Sequence, residues 1–404
     1  MKISFYGATK EVTGSKFLLE KENLKVLVDC GLHQGSKDNK EMNFTPFPFE
    51  PKEIDFLVLT HAHIDHSGLI PRLVKDGFTG KIITTYATRR LCEIMLPDSG
   101  HIQETENEWD NKKRRRKGLG DRPPLYTVED AERALEYFVS YDYEKEIKLD
   151  NGVTVTFYDA GHILGSSHAL IRSDGMKLGF SGDIGSSLSP VLNHPKGFED
   201  VDYLVMESTY GDRMRHELKD SLAQFSNIIN NSLESGGKIV IPSFAVGRTQ
   251  LLLYYLNELL KSGDINVIKV FLDSPLAIKA TGIYKDIVEN KGIYFSEKIR
   301  ELYREGVVPF DYPSLEITPT VDDSKAINDY ERPAIIISAA GMCNAGRILA
   351  HWQNTIWNPN TSLVFVGYQA EGTLGRRLRQ GQKNVKILGE PIEVNASIYS
   401  FDSF

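Results

Sequence analysis

The sequence predicts an α/β protein of two domains: a first built of short strands whose ends carry histidine and aspartate, and a second that is doubly wound. Three observations carry this expectation. The chain has 404 residues, too many for one core at about 100–200 residues per domain. Up to residue 208, short apolar runs end in polar or glycine-rich turns. From about residue 210 strands and helices alternate regularly, a pattern that implies a parallel sheet covered on both faces.

In the first domain, β-type runs between turn signals predict strands over Lys2–Phe5, Lys16–Glu20, Lys25–Asp29 and Phe56–Leu59, the last running straight into Thr60-His61. Apolar positions at helical spacing predict helices over 66–76 and 127–139. After Asp150, strands are expected at Val153–Tyr158, Ala169–Ile171, Lys177–Ser181 and Tyr203–Met206. The second domain should open with a helix over Glu217–Ser235 and strand Lys238–Ile241, then helix Gly247–Lys261 and strand Val270–Leu272. Further strands are expected at Ala334–Ile337, Ser362–Val366 and Val385–Leu388. It has no Gly-x-Gly-x-x-Gly and no Gly-Lys-Ser/Thr, so neither a dinucleotide nor a P-loop fingerprint accompanies the pattern.

With 41% hydrophobic and 25% charged residues, the composition is that of a soluble globular protein. The opening MKISFYGATKEVTGS lacks the parts of a signal peptide, and no stretch approaches the length of an apolar span. A cytoplasmic address and no membrane partner are expected. Cys30, Cys92 and Cys343 are scattered and form no C-x-x-C pair, which argues against a disulfide framework or a structural zinc knuckle. A net charge of −8 argues against coating nucleic acid through the overall field, though not against a local basic groove. The run Lys112-Lys113-Arg114-Arg115-Arg116-Lys117 reads first as a solvated surface segment and second as a nucleic-acid contact.

The densest chemical signal is His61-Ala62-His63-Ile64-Asp65-His66, which follows a predicted strand. In an extended segment residues two apart share a face, so His61 and His63 can reach one ion. Asp65 and His66, at the following helix start, can turn towards a second. Such ligands suit zinc, with manganese or iron as alternatives, and the absence of nearby thiols points to an open, catalytic site. A lone buried histidine is more often a satisfied core residue, but that reading does not account for a cluster. His162 in Ala160-Gly161-His162-Ile163-Leu164-Gly165 and Asp183 in Ser181-Gly182-Asp183-Ile184-Gly185 are weaker signals, because turns of this kind are commonly structural. Each follows a predicted strand in the same half of the chain.

These segments resemble the metallo-β-lactamase superfamily, as does Leu27-Val28-Asp29-Cys30-Gly31. Glu207-Ser208-Thr209-Tyr210-Gly211-Asp212, an acidic residue at a strand end before an α/β insertion, narrows the resemblance to the β-CASP group of RNA-processing nucleases, which includes bacterial ribonuclease J. Phe244–Gln250, Asp273–Ala277, Ser338–Met342 and the segment 367–376 are similar to that group as well. The resemblance implies an αββα sandwich over 1–208, an inserted doubly wound β-CASP domain over 209–392, and the start of a return strand to the first domain over 393–404. It implies two Zn2+ ions, with Mn2+ as the alternative. His61, His63 and His162 would hold one ion, Asp65 and His66 the other, and Asp183 would bridge them, with Asp29 in support. Asp65 and Glu207 would be catalytic.

RNA is the implied partner, a homo-oligomer being admitted. Arg248, Ser338, Gly341, Arg376 and Arg377 are the candidates for holding its phosphates, since guanidinium groups grip phosphate and helix starts favour anions. Members of the group follow the strand matching Ser397–Phe401 with Ser-x-His-x-Asp and a later histidine, whereas the last histidine here is His351. An RNA-binding subunit of impaired catalysis therefore stands beside a ribonuclease, as does a DNA nuclease of the same fold, because repair nucleases share the β-CASP arrangement.

Overall fold

A computed structural model describes residues 1–401 apart from 36, 199, 213–217, 344 and 368. The chain divides into two compact units, Met1–Gly211 and Asp212–Phe404.

The first unit is a sandwich of two sheets. One sheet has six strands in sequence order: β1 (Lys2–Phe5), β2 (Phe17–Lys21), β3 (Leu24–Val28), β4 (Phe56–Val58), β5 (Lys81–Thr85) and β6 (Phe138–Tyr141). The other comprises β7 (Glu146–Lys148), β8 (Thr154–Asp159), β9 (Ser167–Ser173), β10 (Met176–Phe180) and β11 (Tyr203–Val205). Alternate residues turn inward, so Val26, Val28, Val58 and Ile83 of the first sheet share one buried cluster with Val155, Phe157, Ala169, Ile171 and Phe180 of the second. Period-two patterning over one buried face produces this pairing. β3 and β4 run parallel, β10 and β11 run parallel, and β8 joins β10 through antiparallel β9. Within each sheet, the strand ends that carry His or Asp therefore lie on the same side.

The expected helix over 66–76 is two short helices, Ile64–Ser67 and Ile70–Lys75. Pro71 sits in the first turn of the second, where its missing N–H costs nothing. The helix expected over 127–139 stops at Leu135 and gives way to β6. A helix of 31 residues, Tyr86–Arg116, was not expected. Its buried residues from Ala87 to Gly100 make an amphipathic first half, but Pro97 and Gly100 interrupt that half and Asn111 alone is buried in the second. Periodicity detects a helix only where one face is apolar.

The second unit is doubly wound, with parallel strands in the order β14-β13-β15-β12-β16-β19. These are β12 (Lys238–Pro242), β13 (Lys269–Leu272), β14 (Leu315–Ile317), β15 (Ala334–Ser338), β16 (Ser362–Phe365) and β19 (Ser397–Ser400). Helix Leu218–Glu234 precedes β12, and the expected start of this helix at Glu217 lies outside the described residues. The strand expected at Val385–Leu388 belongs to a separate hairpin of β17 (Asn384–Ile387) and β18 (Glu390–Glu393). Its tight return uses Leu388 and Gly389, both at positive φ, and a two-residue turn can only make antiparallel neighbours. The segment expected to begin a return to the first domain is the sheet's edge strand: β19 pairs in parallel with β16 and turns Ile398 onto the second unit's core.

Among the described residues no helix is long and apolar enough to cross a membrane.

Candidate metal centre

Three strand ends and one helix start of the first unit bring their side chains together. His61 follows β4, His162 follows β8 and Asp183 follows β10, while His63 sits at the N-cap of helix Ile64–Ser67. One ligand atom from each of these four residues lies within 4.8 Å of all the others. His162 Nε2 is 3.2 Å from His63 Nδ1 and 3.4 Å from Asp183 Oδ2, and His61 Nε2 is 3.7 Å from the same oxygen.

His66 occupies the other side of Asp183, its Nε2 at 3.1 Å from Oδ1. The Asp183 carboxylate thus directs one oxygen at His61 and His162 and the other at His66. Asp65, in the first turn of helix Ile64–Ser67, is partly buried among these groups.

Asp29 sets the orientation of two imidazoles. Its Oδ2 accepts from His66 Nδ1 at 2.7 Å and from the Thr60 hydroxyl at 3.0 Å, and its Oδ1 accepts from the Thr60 amide at 2.8 Å. Because the Thr60 hydroxyl gives its proton to Asp29, its oxygen accepts from His61 Nδ1 at 3.1 Å. His61 therefore carries its proton on Nδ1 and presents the Nε2 lone pair towards Asp183, while Asp29 fixes the Nδ1–H of His66 and leaves Nε2 as the nitrogen that faces Asp183. Thr60 was missed as a site residue. Its only sequence signal is its place directly before His61.

Glycines allow the loops to approach. A Cβ on Gly31 would lie 1.6 Å from the Asp65 carbonyl oxygen, and one on Gly182, at φ 52°, would lie 2.9 Å from Thr60 Cβ. Behind Gly31, the buried Lys16 ammonium donates to the Gly14 and Gly31 carbonyls at 3.0 and 2.8 Å. Glu207 is tied to the Asp183 loop: its Oε1 accepts from the Ile184 amide at 2.8 Å, and its own amide donates to Ser181 Oγ at 3.0 Å.

The donor set fits a metal ion. Burial, with repulsion from neighbouring imidazoles, pushes His61 well below the ordinary histidine range and His63 to about 4, so both are neutral ligands near pH 7. His61 Nε2 is buried and makes no hydrogen bond, which is costly unless something else satisfies it. Burial also lowers His66, but Asp183 and Asp29 outweigh it and raise the imidazole well above the usual value. Metal-free His66 is therefore protonated near pH 7 and must lose that proton to act as a ligand. Loading the position beside His66 should release about one proton per ion, and loading beside His61 and His63 almost none. Calorimetric titration in two buffers of different ionisation enthalpy measures this directly.

Replacing Asp29 by alanine should weaken metal binding about 10–100-fold, the usual cost of losing a group that orients a ligand. Competition with a chromophoric chelator reads the change. An unchanged affinity would mean that Asp29 supports only the fold.

In the second unit, the loops after β12, β15 and β16 converge. Gly341 packs on the Phe244 ring, where a Cβ would come within 2.9 Å, and Gln369 donates to the Gly341 carbonyl at 2.7 Å. Gly367 faces both Phe244 and Arg248 Nε. The quoted segments thus gather at the carboxyl ends of neighbouring parallel strands, the usual place for ligands in such sheets. Arg248 begins helix Arg248–Ser262, and Arg376 and Arg377 lie in helix Leu374–Arg379, capped by Thr373. Arg376 Nε is buried without a hydrogen-bond partner, while Arg377 is exposed. Ser338 spends its hydroxyl on the Asp273 carbonyl at 2.8 Å, so its side chain serves the interior. Gln369 was missed, since a buried amide leaves no periodic trace.

Residues 18–184 match the profile described as Metallo-beta-lactamase superfamily domain, and residues 249–378 that described as Beta-Casp domain. Over 404 residues the chain is 34% identical to Ribonuclease TTHA0252 of Thermus thermophilus, covering all of this chain and 88% of that protein. It is 31% identical over 423 residues to Transcription termination factor FttA of Methanosarcina mazei and 31% identical over 416 residues to that of Methanococcus maripaludis. It spans 62% of the length of each of these two factors.

Proposed function

The chain belongs to the β-CASP group of the metallo-β-lactamase superfamily, and from that membership we propose that it is a zinc-dependent ribonuclease that hydrolyses RNA phosphodiester bonds. The observation that carries this reading is the convergence of His61, His162 and Asp183 from strand ends with His63 from a helix N-cap, in a chain that covers most of a ribonuclease.

His61, His63 and His162 would hold one ion, Asp65 and His66 a second, and Asp183 would face both. Paired metal ions supply an activated water and neutralise charge on the phosphoryl oxygens. Asp65, partly buried in the first turn of helix Ile64–Ser67, would take the water's proton. Asp29 and Thr60 hold His61 and His66 in the ligating tautomer. Glu207 keeps Asp183 in place through the Ile184 amide and would act beside the departing group. Arg248, Arg376, Arg377 and the amides around Gly341 would grip phosphates of the strand.

The test is cleavage of a labelled RNA by the metal-free chain after adding back zinc or manganese, beside its 2′-deoxy counterpart. Metal-restored cleavage of RNA and resistance of the deoxy strand are expected, the 2′-hydroxyl being the group that distinguishes the two. Equal cleavage of both would favour the DNA nuclease reading, and RNA binding without cleavage the impaired subunit. Arg376→Ala should also lower the slope of log affinity against log salt by about 0.7, one phosphate contact on a single strand. An unchanged slope in filter binding would remove Arg376 from the substrate contacts.

A further inference from the structure

Helix Tyr86–Arg116 has two halves with different work. At its start, Thr85 and Thr88 donate from their hydroxyls to the Gly165 carbonyl at 2.7 and 2.8 Å, which fixes the loop that carries His162. Beyond Gly100 the helix leaves the core and buries only Asn111. A polar helix of this kind needs other support, and it has some. Asn107 and Asn111 both donate to the Arg122 carbonyl, the Arg122 amide donates back to Asn111, and the Arg122 guanidinium lies 3.6 Å over the Phe44 ring. The far half is thus a braced arm, and Trp109 on it stands about 36 Å along the axis from Thr85 at 1.5 Å per residue.

The arm's outer face has a specific composition. Trp109, Lys112, Lys113 and Arg116 lie at i, i+3, i+4 and i+7, one face of a helix, and all four are exposed. Trp109 is 64% exposed, and Lys112 Nζ sits 5.9 Å from its ring centre. Arg114 and Arg115 are used within the arm, on the Gly120 carbonyl and on Asp121. Lys113 has a long, exposed pairing with Asp110 at 3.4 Å, and Arg116 and Lys117 have no ion-pair partner among the described residues. Basic residues in a last turn complement the helix dipole. That does not account for an exposed indole two turns earlier on the same face.

We propose that the Trp109, Lys112, Lys113 and Arg116 face is a second binding surface for single-stranded RNA, with a base stacked on the indole and phosphates held by the three cations. Its charge complements a polyanion although the whole chain carries −8, and a flat aromatic beside cations is the sequence-tolerant platform of single-strand binders. The surface would hold a strand away from the metal centre, on the same helix that steadies the His162 loop. This rests on the reading of RNA as substrate, and it concerns binding alone.

The test measures binding of a labelled oligouridine to the full chain carrying His63→Ala, so that cleavage does not intervene. Adding Trp109→Ala should weaken binding about tenfold, one stacked base. Adding Lys112→Ala, Lys113→Ala and Arg116→Ala together should lower the salt slope by about 2, three contacts on a single strand. In the otherwise native chain, hydrolysis of a small phosphodiester should be unchanged by either set. Affinity and slope within experimental scatter of the parent would overturn the proposal. So would a triple variant that weakens oligouridine and polyglutamate equally while Trp109→Ala does nothing, the result for an unspecific cationic patch. A native chain that never cleaves RNA, yet binds it through Trp109, overturns the ribonuclease reading and supports this surface.

Discussion

His63→Ala is expected to abolish most metal binding at the three-histidine position and to cut RNA cleavage at least about a thousandfold, while the fold survives. His63 contributes to that fold through its backbone: its carbonyl accepts from the His66 and Ser67 amides, and its side chain makes no cap. The alanine variant keeps those bonds. What it loses is a ring whose centre lies 5.0 Å from those of both His61 and His162. A site losing one of about four ligands holds zinc much less firmly. The metal's stabilisation of the reacting phosphate is worth several kcal/mol, which is three or more powers of ten in rate. Single-turnover cleavage and thermal melting, measured together, separate the two effects. A variant that cleaves normally would remove His63 from the centre, and one that is unfolded would show that the cluster is structural.

Asp273→Ala should produce the largest loss of stability, about 3–5 kcal/mol, because it leaves buried partners uncompensated. Asp273 is fully buried at the end of β13. Its Oδ1 accepts from Arg347 at 2.7 Å and from Thr318 Oγ1 at 2.8 Å, and its Oδ2 from His351 Nε2 and Ser324 Oγ at 2.6 Å each. Burial pushes this carboxyl up, but the hydrogen bonds from His351, Ser324 and Arg347 outweigh it and bring it to about 2. The folded value thus lies below the unfolded one, near 3.9. The stabilisation from the ionised form is complete above about pH 4 and is lost as the pH falls through about 2. Denaturant titrations across that window should show the wild type losing more stability than Asp273→Ala, which keeps only the acid sensitivity of other lowered carboxyls such as Asp183 and Asp130. A parallel loss in both proteins would place the acid sensitivity elsewhere.

Much of the fold was legible because it rests on periodic apolar patterns. The strands that meet in the sandwich, such as Val26, Val28 and Val155, Phe157, alternate in sequence as they do in space. The four residues that converge, His61, His63, His162 and Asp183, were legible as candidates too, since the two histidines lie in one dense cluster and His162 and Asp183 each follow a readable strand. The second half of helix Tyr86–Arg116 was not legible, because its support is polar and comes from Asn107, Asn111 and Arg122 and not from an apolar stripe. The β17–β18 hairpin was read as part of the sheet, since a strand's own residues do not say which neighbour it will find. Thr60 and Gln369 act through hydrogen bonds made across the fold, and a single polar residue announces none of them. Ser338 and Gly341 were marked correctly as lying at a strand end, but the hydroxyl and the missing Cβ serve packing.

In the proposed assignment Asp183 would join two metal positions, one built by His61, His63 and His162 and the other by Asp65 and His66. Counting zinc per chain by elemental analysis after equilibration, in the wild type and in His63→Ala, His66→Ala and Asp183→Ala, tests it most directly. About two ions in the wild type, about one in each histidine variant and almost none in Asp183→Ala is the expected pattern. The same zinc content in all four proteins would contradict the assignment.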